Sequence, residues 1–402
     1  MLWGANGHPF TAYDGVSLDD QLGFLADLGL KSYRVNISGL HSVPALEQLL
    51  AKAEPLGISI LPVLIPSLQF EALTPEALRS RAHDFAFALV SRFKGRIKVW
   101  ELGNELEVYA IIKPCEMQDD GKQYNCDWGL AGGNGLLDYY GPRWAKVSAV
   151  LKGLSEGTMA ADGTARKAMG TAGWGHTGAF ERMRRDGIEW DISVWHLYGE
   201  DPEWAFKLLA GFGKPIWVTE MNHPRGSEPG ERQQADGMRR WMKRLAELSP
   251  RYRVEAVQIY ELLDEPYWAP DAEAVMGLVR LERRAGGGWA PGAPKPAYNA
   301  VRAVVRGEEG TPAIQRECAL DRLMDDRPPA EAQIAYLYCL LLARQADAAG
   351  LRDWIARRNE GTAIPAILRA MAGSEEFGTR HRTRFLSDER FVLLRLKRLL
   401  SP

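Results

Sequence analysis

VWELGNELEV, residues 99–108, begins like a buried strand and ends in carboxylates. Val99, Trp100 and Leu102 suit a sheet interior, whereas Glu101, Gly103 and Glu105 share one face under a period of two. A carboxylate on that face is either a satisfied structural charge or chemistry placed where a strand opens into a loop. The second reading requires a fold whose strands all end at one rim. Strand-like runs recur along the chain: LWGAN near Leu2, KSYRVNIS from Lys31, ISILPVLIP from Ile58, RIKVWELGN from Arg96, AMGTAGW from Ala168, DISVWHLY from Asp191, KPIWVTE from Lys214 and VEAVQIYEL from Val254. Between them lie helical segments such as SLDDQLGFLADLG, PEALRSRAHDFAFALVSRF and ERQQADGMRRWMKRLAEL, with acids or Ser near the start and Gly, Lys or Arg near the end. Eight β-then-α units predict an α/β fold closed into a (β/α)8 TIM barrel. An open doubly wound sheet is the alternative, but the first turn lacks a Gly-rich phosphate loop.

The barrel is expected over residues 1–306. Beyond VRAVVRGEEGTPAIQ the pattern changes to helix formers without strands: CALDRLMDD, AQIAYLYCLLLARQ, AGLRDWIARRNEG, AIPAILRAMAGSEEF and DERFVLLRLKRLL. A small all-α domain is therefore expected over 316–402, its basic last helix read as packed on its own domain. Two connections exceed ordinary lengths. Leu106 to Tyr139 follows the strand that carries Glu105, has no helical period and holds Trp128. The glycine-rich RRAGGGWAPGAPKP follows the last strand and holds Trp289. Both are expected to overhang the C-terminal face, where barrel active sites lie.

Bulk numbers exclude some classes. The 402 residues carry Lys+Arg 50 against Asp+Glu 52, a formal charge of -2, so no field draws the chain to nucleic acid or anionic membrane. The longest apolar runs, ISILPVLIP and IAYLYCLLLA, fall well short of the roughly 20 residues that span a bilayer. The histidines show neither HxH nor HExxH spacing and no GxSxG elbow occurs, so neither a metal nor a cofactor is expected.

Polar residues gather near the C-terminal ends of the predicted strands. Arg34, Asn36 and Ser38 share a face of strand two, and His196 and Tyr198 a face of strand six. Strand four ends in Asn104 and Glu105, strand seven in Glu220, and strand eight in Tyr260 and Glu261. Any one of these is ordinarily a structural polar group. Their coincidence on several strands implies a pocket for a polyhydroxylated substrate. Two carboxylates flanking a bond are what glycoside hydrolysis requires, one to protonate the leaving oxygen and one to attack the anomeric carbon or activate water. Glu101, two residues inside Glu105, is read as the buried partner of a cation such as Arg34. Trp174 and Trp268, directly after strands five and eight, are the better-placed rings for stacking on sugar, ahead of Trp128 and Trp289.

WELGNE on strand four and WVTE on strand seven resemble glycoside hydrolase clan A, a group of retaining enzymes on (β/α)8 barrels. The resemblance implies Glu105 as acid/base, Glu220 as nucleophile, and Asn104 at the sugar 2-hydroxyl. It implies Arg34 stabilising the ionised nucleophile, with Tyr198 or His196 hydrogen-bonding beside it. Together with HLYGE, YELLDEP and KPAYNAV, the first 300 or so residues look most like family 39 and its relatives, which act on β-xylosides or bacterial exopolysaccharides. Strand eight departs from the pattern, with Tyr260 and Glu261 where many clan members have a Trp. The resemblance implies retaining hydrolysis of bacterial exopolysaccharide or plant β-glycan. A transglycosylase, or a barrel that binds carbohydrate without cleaving it, is the alternative. The stretch AYLYCLLLARQADAAGLRDWIARRNEGTAIPAILRAMAGSEEF resembles the helical module called domain of unknown function 4214, found in secreted bacterial proteins. Trp354 and Phe377 are expected in its core, and attachment to a cell surface or polysaccharide is a role it would suit.

Cys115 and Cys126 bracket the polar loop KPCEMQDDGKQYNCDW, where a disulfide would close a short loop and unpaired buried thiols are the alternative. Cys318 and Cys339 offer a second pairing. Disulfides favour an oxidising compartment. MLWGANGHPF lacks the basic start and apolar core of a secretory signal, which fits either a cytoplasmic protein or a mature form, and the disulfide reading favours a secreted or periplasmic location over the cytoplasm.

Overall fold

The computed structural model describes residues 1–307, 330–342, 346 and 348–377. The chain divides into two units, Met1–Gly307 and Glu308–Pro402. In the first, eight strands pair in chain order and close into a barrel: β1 (Leu2–Gly7), β2 (Ser32–Ile37), β3 (Ser59–Leu64), β4 (Val99–Leu102), β5 (Arg166–Thr171), β6 (Ile192–Tyr198), β7 (Ile216–Asn222) and β8 (Val254–Ile259). Every neighbouring pair is parallel, β8 against β1 included. The expected (β/α)8 barrel is the observed fold.

The helices are α1 (Leu18–Leu28), α2 (Val43–Ala53), α3 (Pro75–Arg92), α4 (Gly141–Ala161), α5 (Gly178–Arg185), α6 (Glu203–Ala210), α7 (Glu231–Tyr252) and α8 (Pro296–Val305). Local chemistry sets their ends. Ser17 Oγ accepts from the Asp20 amide at 3.0 Å at the start of α1, and Gly29, at φ 80°, stops it in the left-handed conformation. The cap contributes about 1 kcal/mol. Leu22, Leu25 and Leu28 of α1 and Leu46, Leu49 and Leu50 of α2 belong to the same buried apolar cluster as Tyr33, Val35, Trp100 and Val218 of the strands.

A separate apolar cluster of Leu61, Ala168, Ile192, Val194, Trp217 and Ala256 fills the barrel interior from β3, β5, β6, β7 and β8. One strand step beyond Ile192, Val194 and Ala256 the inward positions turn polar, reaching His196, Tyr198 and Gln258, and Gln258 donates to Ser32 Oγ at 2.8 Å. The plug thus seals one end and leaves a polar chamber at the C-terminal ends of the strands. On β7 the register shifts between Val218 and Met221. That bulge lets the successive residues Thr219 and Glu220 both reach the interior, which a strict period of two forbids.

The segment from Leu106 to Tyr139 contains short helical turns at Leu106–Ala110 and Leu136–Asp138 and isolated bridges Ile111 to Tyr139 and Met117 to Gln123. Cys115 and Cys126 are disulfide-bonded. Arg143 binds Glu116 through both terminal nitrogens and donates to the carbonyl of Ile111 at 2.8 Å, while Arg182 donates to Asp119 at 2.7 Å. The glycine-rich stretch after β8 is not a free loop. It forms an antiparallel hairpin of β9 (Val279–Arg283) and β10 (Trp289–Pro294), tied down by Trp289 N donating to the Asp14 carbonyl at 2.8 Å.

In the second unit, helices Ala330–Leu342, Ala348–Asn359 and Ile364–Ala372 share a core of Ile334, Leu337, Leu341, Ile367 and Met371, with Trp354 and Phe377 half-buried against it. Cys318, the side chain of Cys339, CALDRLMDD and the final basic helix lie outside the described residues. Among the described residues no helix is long and apolar enough to cross a membrane.

Candidate active site

β4 ends at Leu102, so the alternation that the sequence suggested does not carry through to Glu105. Gly103 (φ 80°) and Glu105 (φ 50°) both take left-handed backbone, and the turn between them delivers Glu105 to the rim. A Cβ on Gly103 would meet Leu106 Cδ1 at 2.6 Å, so this turn requires glycine. A left-handed Glu costs about 1–3 kcal/mol and needs surrounding structure to hold it.

Arg34 organises the chamber. Its Nε and Nη2 donate to the two oxygens of Glu101 at 2.8 and 2.7 Å. Nη2 also donates to Asn104 Oδ1 at 2.6 Å, and Nη1 donates to Asn6 Oδ1 at 2.6 Å and Glu220 Oε1 at 2.9 Å. One guanidinium therefore links β1, β2, β4 and β7. Glu101 is buried and fully engaged, the structural partner expected of it. Tyr198 OH donates to the other oxygen of Glu220, Oε2, at 2.7 Å.

His196 Nδ1 lies 2.7 Å from Glu105 Oε1 and 3.4 Å from Glu220 Oε2. Its Nε2 lies 3.1 Å from Thr219 Oγ1, and Thr219 donates to Glu101 Oε1 at 3.1 Å. An ionised carboxylate only accepts, so Thr219 gives its proton to Glu101 and accepts one from Nε2. With both ring nitrogens facing acceptors, the arrangement favours the imidazolium form. Burial disfavours that charge, but Glu220 and Glu105 outweigh it and raise the His196 pKa. Burial likewise opposes ionisation of Glu105, but the His196 hydrogen bond and charge, with Arg34 and His176 behind them, bring its pKa below the ordinary value. Glu105, His196 and Glu220 each place one donor or acceptor atom within 4.8 Å of the other two.

Arg34, Asn104, Glu105, His196, Tyr198 and Glu220 thus form one connected group. Asn36, Tyr260 and Trp268 line an adjoining cavity of about 430 Å³ with His8, Glu265 and Glu273. Tyr260 makes an edge contact with Tyr198 at 6.2 Å between centroids. Trp268 is 54% exposed, Trp174 72% and Trp128 61%, so these rings present free faces. Glu261 departs from the expectation that it touches substrate. It is fully buried, accepts from Tyr13 OH at 2.9 Å and lies beside His8, and burial pushes its pKa up to about 8. A cavity of about 450 Å³ lined by Arg79, Trp144 and Arg182 shares no residue with this centre.

Sequence reading missed several participants. Asn6 sits beneath the centre and donates to the carbonyls of Thr219 and Ile259 at 2.9 and 3.3 Å. Glu107 is buried, 2.9 Å from His176 Nδ1, and accepts from the Ala172 amide at 2.7 Å, fixing the turn before Trp174. Asn6 had a usable signal, because it ends β1 on the inward face. Glu107 had none, because it lies in a stretch without period.

The C-terminal residues 327–381 match the family model described as domain of unknown function DUF4214. That description gives no support to an attachment role. No curated protein sequence matches the chain. Among solved structures, it is similar to a family 39 glycoside hydrolase from Bacteroides cellulosilyticus WH2, at 18% identity and TM-score 0.52 over 77% of this chain. The matched region is 64% of that enzyme's length, so this chain spans just under two thirds of it. It is similar to xylanase 10B from Thermotoga maritima, at 17% identity and TM-score 0.51, over 76% of this chain and 95% of that one. A beta-glucosidase from the same organism aligns at 13% identity and TM-score 0.53, over 75% and 97%. At these identities the likeness is one of fold.

Proposed function

We propose that the chain is a retaining β-glycosidase in which Glu220 is the nucleophile and Glu105 the acid/base. One observation carries the reading: carboxylate oxygens of Glu105 and Glu220 lie within 4.8 Å of each other at the polar end of the barrel. Retaining enzymes hold their carboxyl groups about 5–5.5 Å apart, whereas inverting enzymes need a wider gap to seat a water. The resemblance of WELGNE and WVTE to clan A, and a fold shared with three glycosidases, support it.

In the first step Glu220 attacks the anomeric carbon, the glycosidic C–O bond breaks, and the leaving oxygen takes a proton from Glu105. In the second, water gives a proton back to Glu105 and attacks the same carbon, releasing Glu220. Arg34 and Tyr198 each donate to one Glu220 oxygen, so its charge is stabilised and its orientation fixed. His196, 2.7 Å from Glu105, is the reservoir from which Glu105 draws the proton it delivers and to which it returns the proton taken from water. Asn104, held by Arg34, is placed for the sugar 2-hydroxyl, and the exposed rings of Trp174 and Trp268 for stacking. The substrate class is a bacterial exopolysaccharide or a plant β-glycan such as a β-xyloside. The Cys115–Cys126 disulfide favours action outside the cytosol.

A panel of aryl β-glycosides and polysaccharides tests this reading. Glu220→Gln is expected to lower kcat at least about a thousandfold with the fold intact. Glu105→Gln should lose far less on a dinitrophenyl glycoside, whose leaving group needs no proton, than on a natural glycan. Near-normal hydrolysis by Glu220→Gln overturns the assignment. Binding without cleavage by the parent protein would favour a carbohydrate-binding barrel, and products dominated by transfer to an added sugar a transglycosylase.

A further inference from the structure

Beside the paired-carboxylate centre, three other side chains converge on a single point. His8 comes from the turn after β1, and Glu261 and Glu265 from the segment after β8, joined to Tyr260 through a cis peptide. His8 Nε2 lies 3.3 Å from Glu261 Oε2 and 3.9 Å from Glu265 Oε1. One donor atom from each of the three lies within 4.8 Å of the other two. His8 Nε2 is shut off from solvent and has no hydrogen-bond partner of good geometry, its 3.3 Å approach to Glu261 Oε2 included. Glu261 is fully buried, and its Oε1 has no partner either.

A buried ring nitrogen and a buried carboxylate oxygen without partners are costly unless something else satisfies them. A proton on His8 would cancel one of the two carboxylate charges and still leave Nε2 without a well-aimed acceptor. A divalent cation cancels both. Bond lengths of about 2.0–2.2 Å to nitrogen and oxygen place neighbouring ligand atoms about 3–4 Å apart, which fits the two measured separations. The carboxylates are also oriented from outside, as ligands are. Tyr13 OH donates to Glu261 Oε2 at 2.9 Å, Tyr267 OH donates to Glu265 Oε1, and Trp268 Nε1 donates to Glu265 Oε2 at 3.1 Å.

We propose that His8, Glu261 and Glu265 bind one first-row divalent cation of the Zn²⁺ or Mn²⁺ type. An imidazole with two carboxylates suits these ions better than Ca²⁺ or Mg²⁺, which prefer all-oxygen shells. His8 and Glu265 also line the 430 Å³ cavity, so water or a substrate hydroxyl can reach the open coordination positions. The site is separate from the proposed nucleophile and does not depend on the glycosidase reading. It also departs from the metal-free expectation drawn from histidine spacing, because its ligands come from opposite ends of the barrel sequence.

The test uses the full chain stripped with a chelator and titrated calorimetrically with ZnCl₂ and, separately, MnCl₂. Glu105→Gln serves as a control, because Glu105, His196 and Glu220 form the other such His–carboxylate group among the described residues. The parent and Glu105→Gln should each bind one equivalent and show a raised Tm with the ion. Glu261→Gln and Glu265→Gln, each checked for folding by near-ultraviolet circular dichroism, should bind at least about tenfold more weakly. The proposal is overturned if neither ion binds the folded parent. It is equally overturned if binding is lost in Glu105→Gln, or if binding persists at full strength in a folded Glu261→Gln or Glu265→Gln protein.

Discussion

At the level of single residues, Arg34 and His196 set the behaviour of the proposed site. Arg34 is buried and compensates Glu101 and Glu220 together. Arg34→Met leaves two buried carboxylates facing an apolar chain, and breaking such a pair from one side costs about 3–5 kcal/mol. Chemical denaturation should record that loss, and hydrolysis should fail with it. An unchanged midpoint would mean the network is not structural. His196 faces Glu220 on β7, Glu105 in the turn after β4 and Arg34 on β2, and after burial is counted the carboxylates raise its pKa. The proton supplied to the leaving group therefore persists above the ordinary imidazole value of about 6.5 and is lost as pH rises through the raised value. The alkaline limb of kcat/KM should lie above pH 6.5 and move in His196→Asn. An unmoved limb in that variant would assign the proton elsewhere. The convergence of Glu105 and Glu220 with Arg34, Asn104 and Tyr198 was legible because each lies on, or directly after, a readable strand. Glu261 was misread for the same reason: its place at the end of strand eight suggested the rim, but its side chain is buried against Tyr13.

Whole elements explain what periodicity hid. The eight strands could be read from their apolar runs, but the bulge on β7 could not, because VTEMN alternates no differently with or without it. The bulge is what lets Thr219 reach Glu101 while Glu220 reaches Arg34. The left-handed turn after β4 left one trace, Gly103, whose φ of 80° and approach to Leu106 favour glycine. The Leu106 to Tyr139 loop is clamped by its disulfide and by Arg143 and Arg182. A bridge closing so short a loop contributes about 3 kcal/mol on the chain-entropy account. Reduction should expose this loop to limited proteolysis before the barrel unfolds, with cuts mapping between residues 106 and 139. Cuts distributed through the barrel at the same time would mean that the bridge supports the whole unit. We propose that this loop, which follows the turn carrying Glu105, walls the substrate cleft, so shortening it should alter chain-length preference more than cleavage of a small aryl glycoside.

Over the whole molecule, the barrel's interior sorts by depth: an apolar plug, then an ion-pair layer, then the chamber with its adjoining cavity. Composition and βα alternation suffice to predict such a closed sheet, because burial on both faces of parallel strands leaves few other solutions. Which ends of the strands hold the polar chamber was also legible, because the polar residues cluster at the C-terminal ends. The convergence of His8 with Glu261 and Glu265 was not, because only barrel closure brings β1 beside β8. The two units have separate cores, so a chain ending at Gly307 should keep cleavage of a small aryl glycoside within about twofold. A larger loss would tie the helical unit to the reaction itself. The central claim is a covalent intermediate on Glu220, and it is tested most directly by incubating the protein with an activated 2-deoxy-2-fluoro-β-glycoside and mapping the adduct by peptide mass spectrometry. A single sugar on the peptide containing Glu220, absent from Glu220→Gln, is the predicted result. Hydrolysis with no adduct, an α-configured first product, or a sugar on another residue would contradict it.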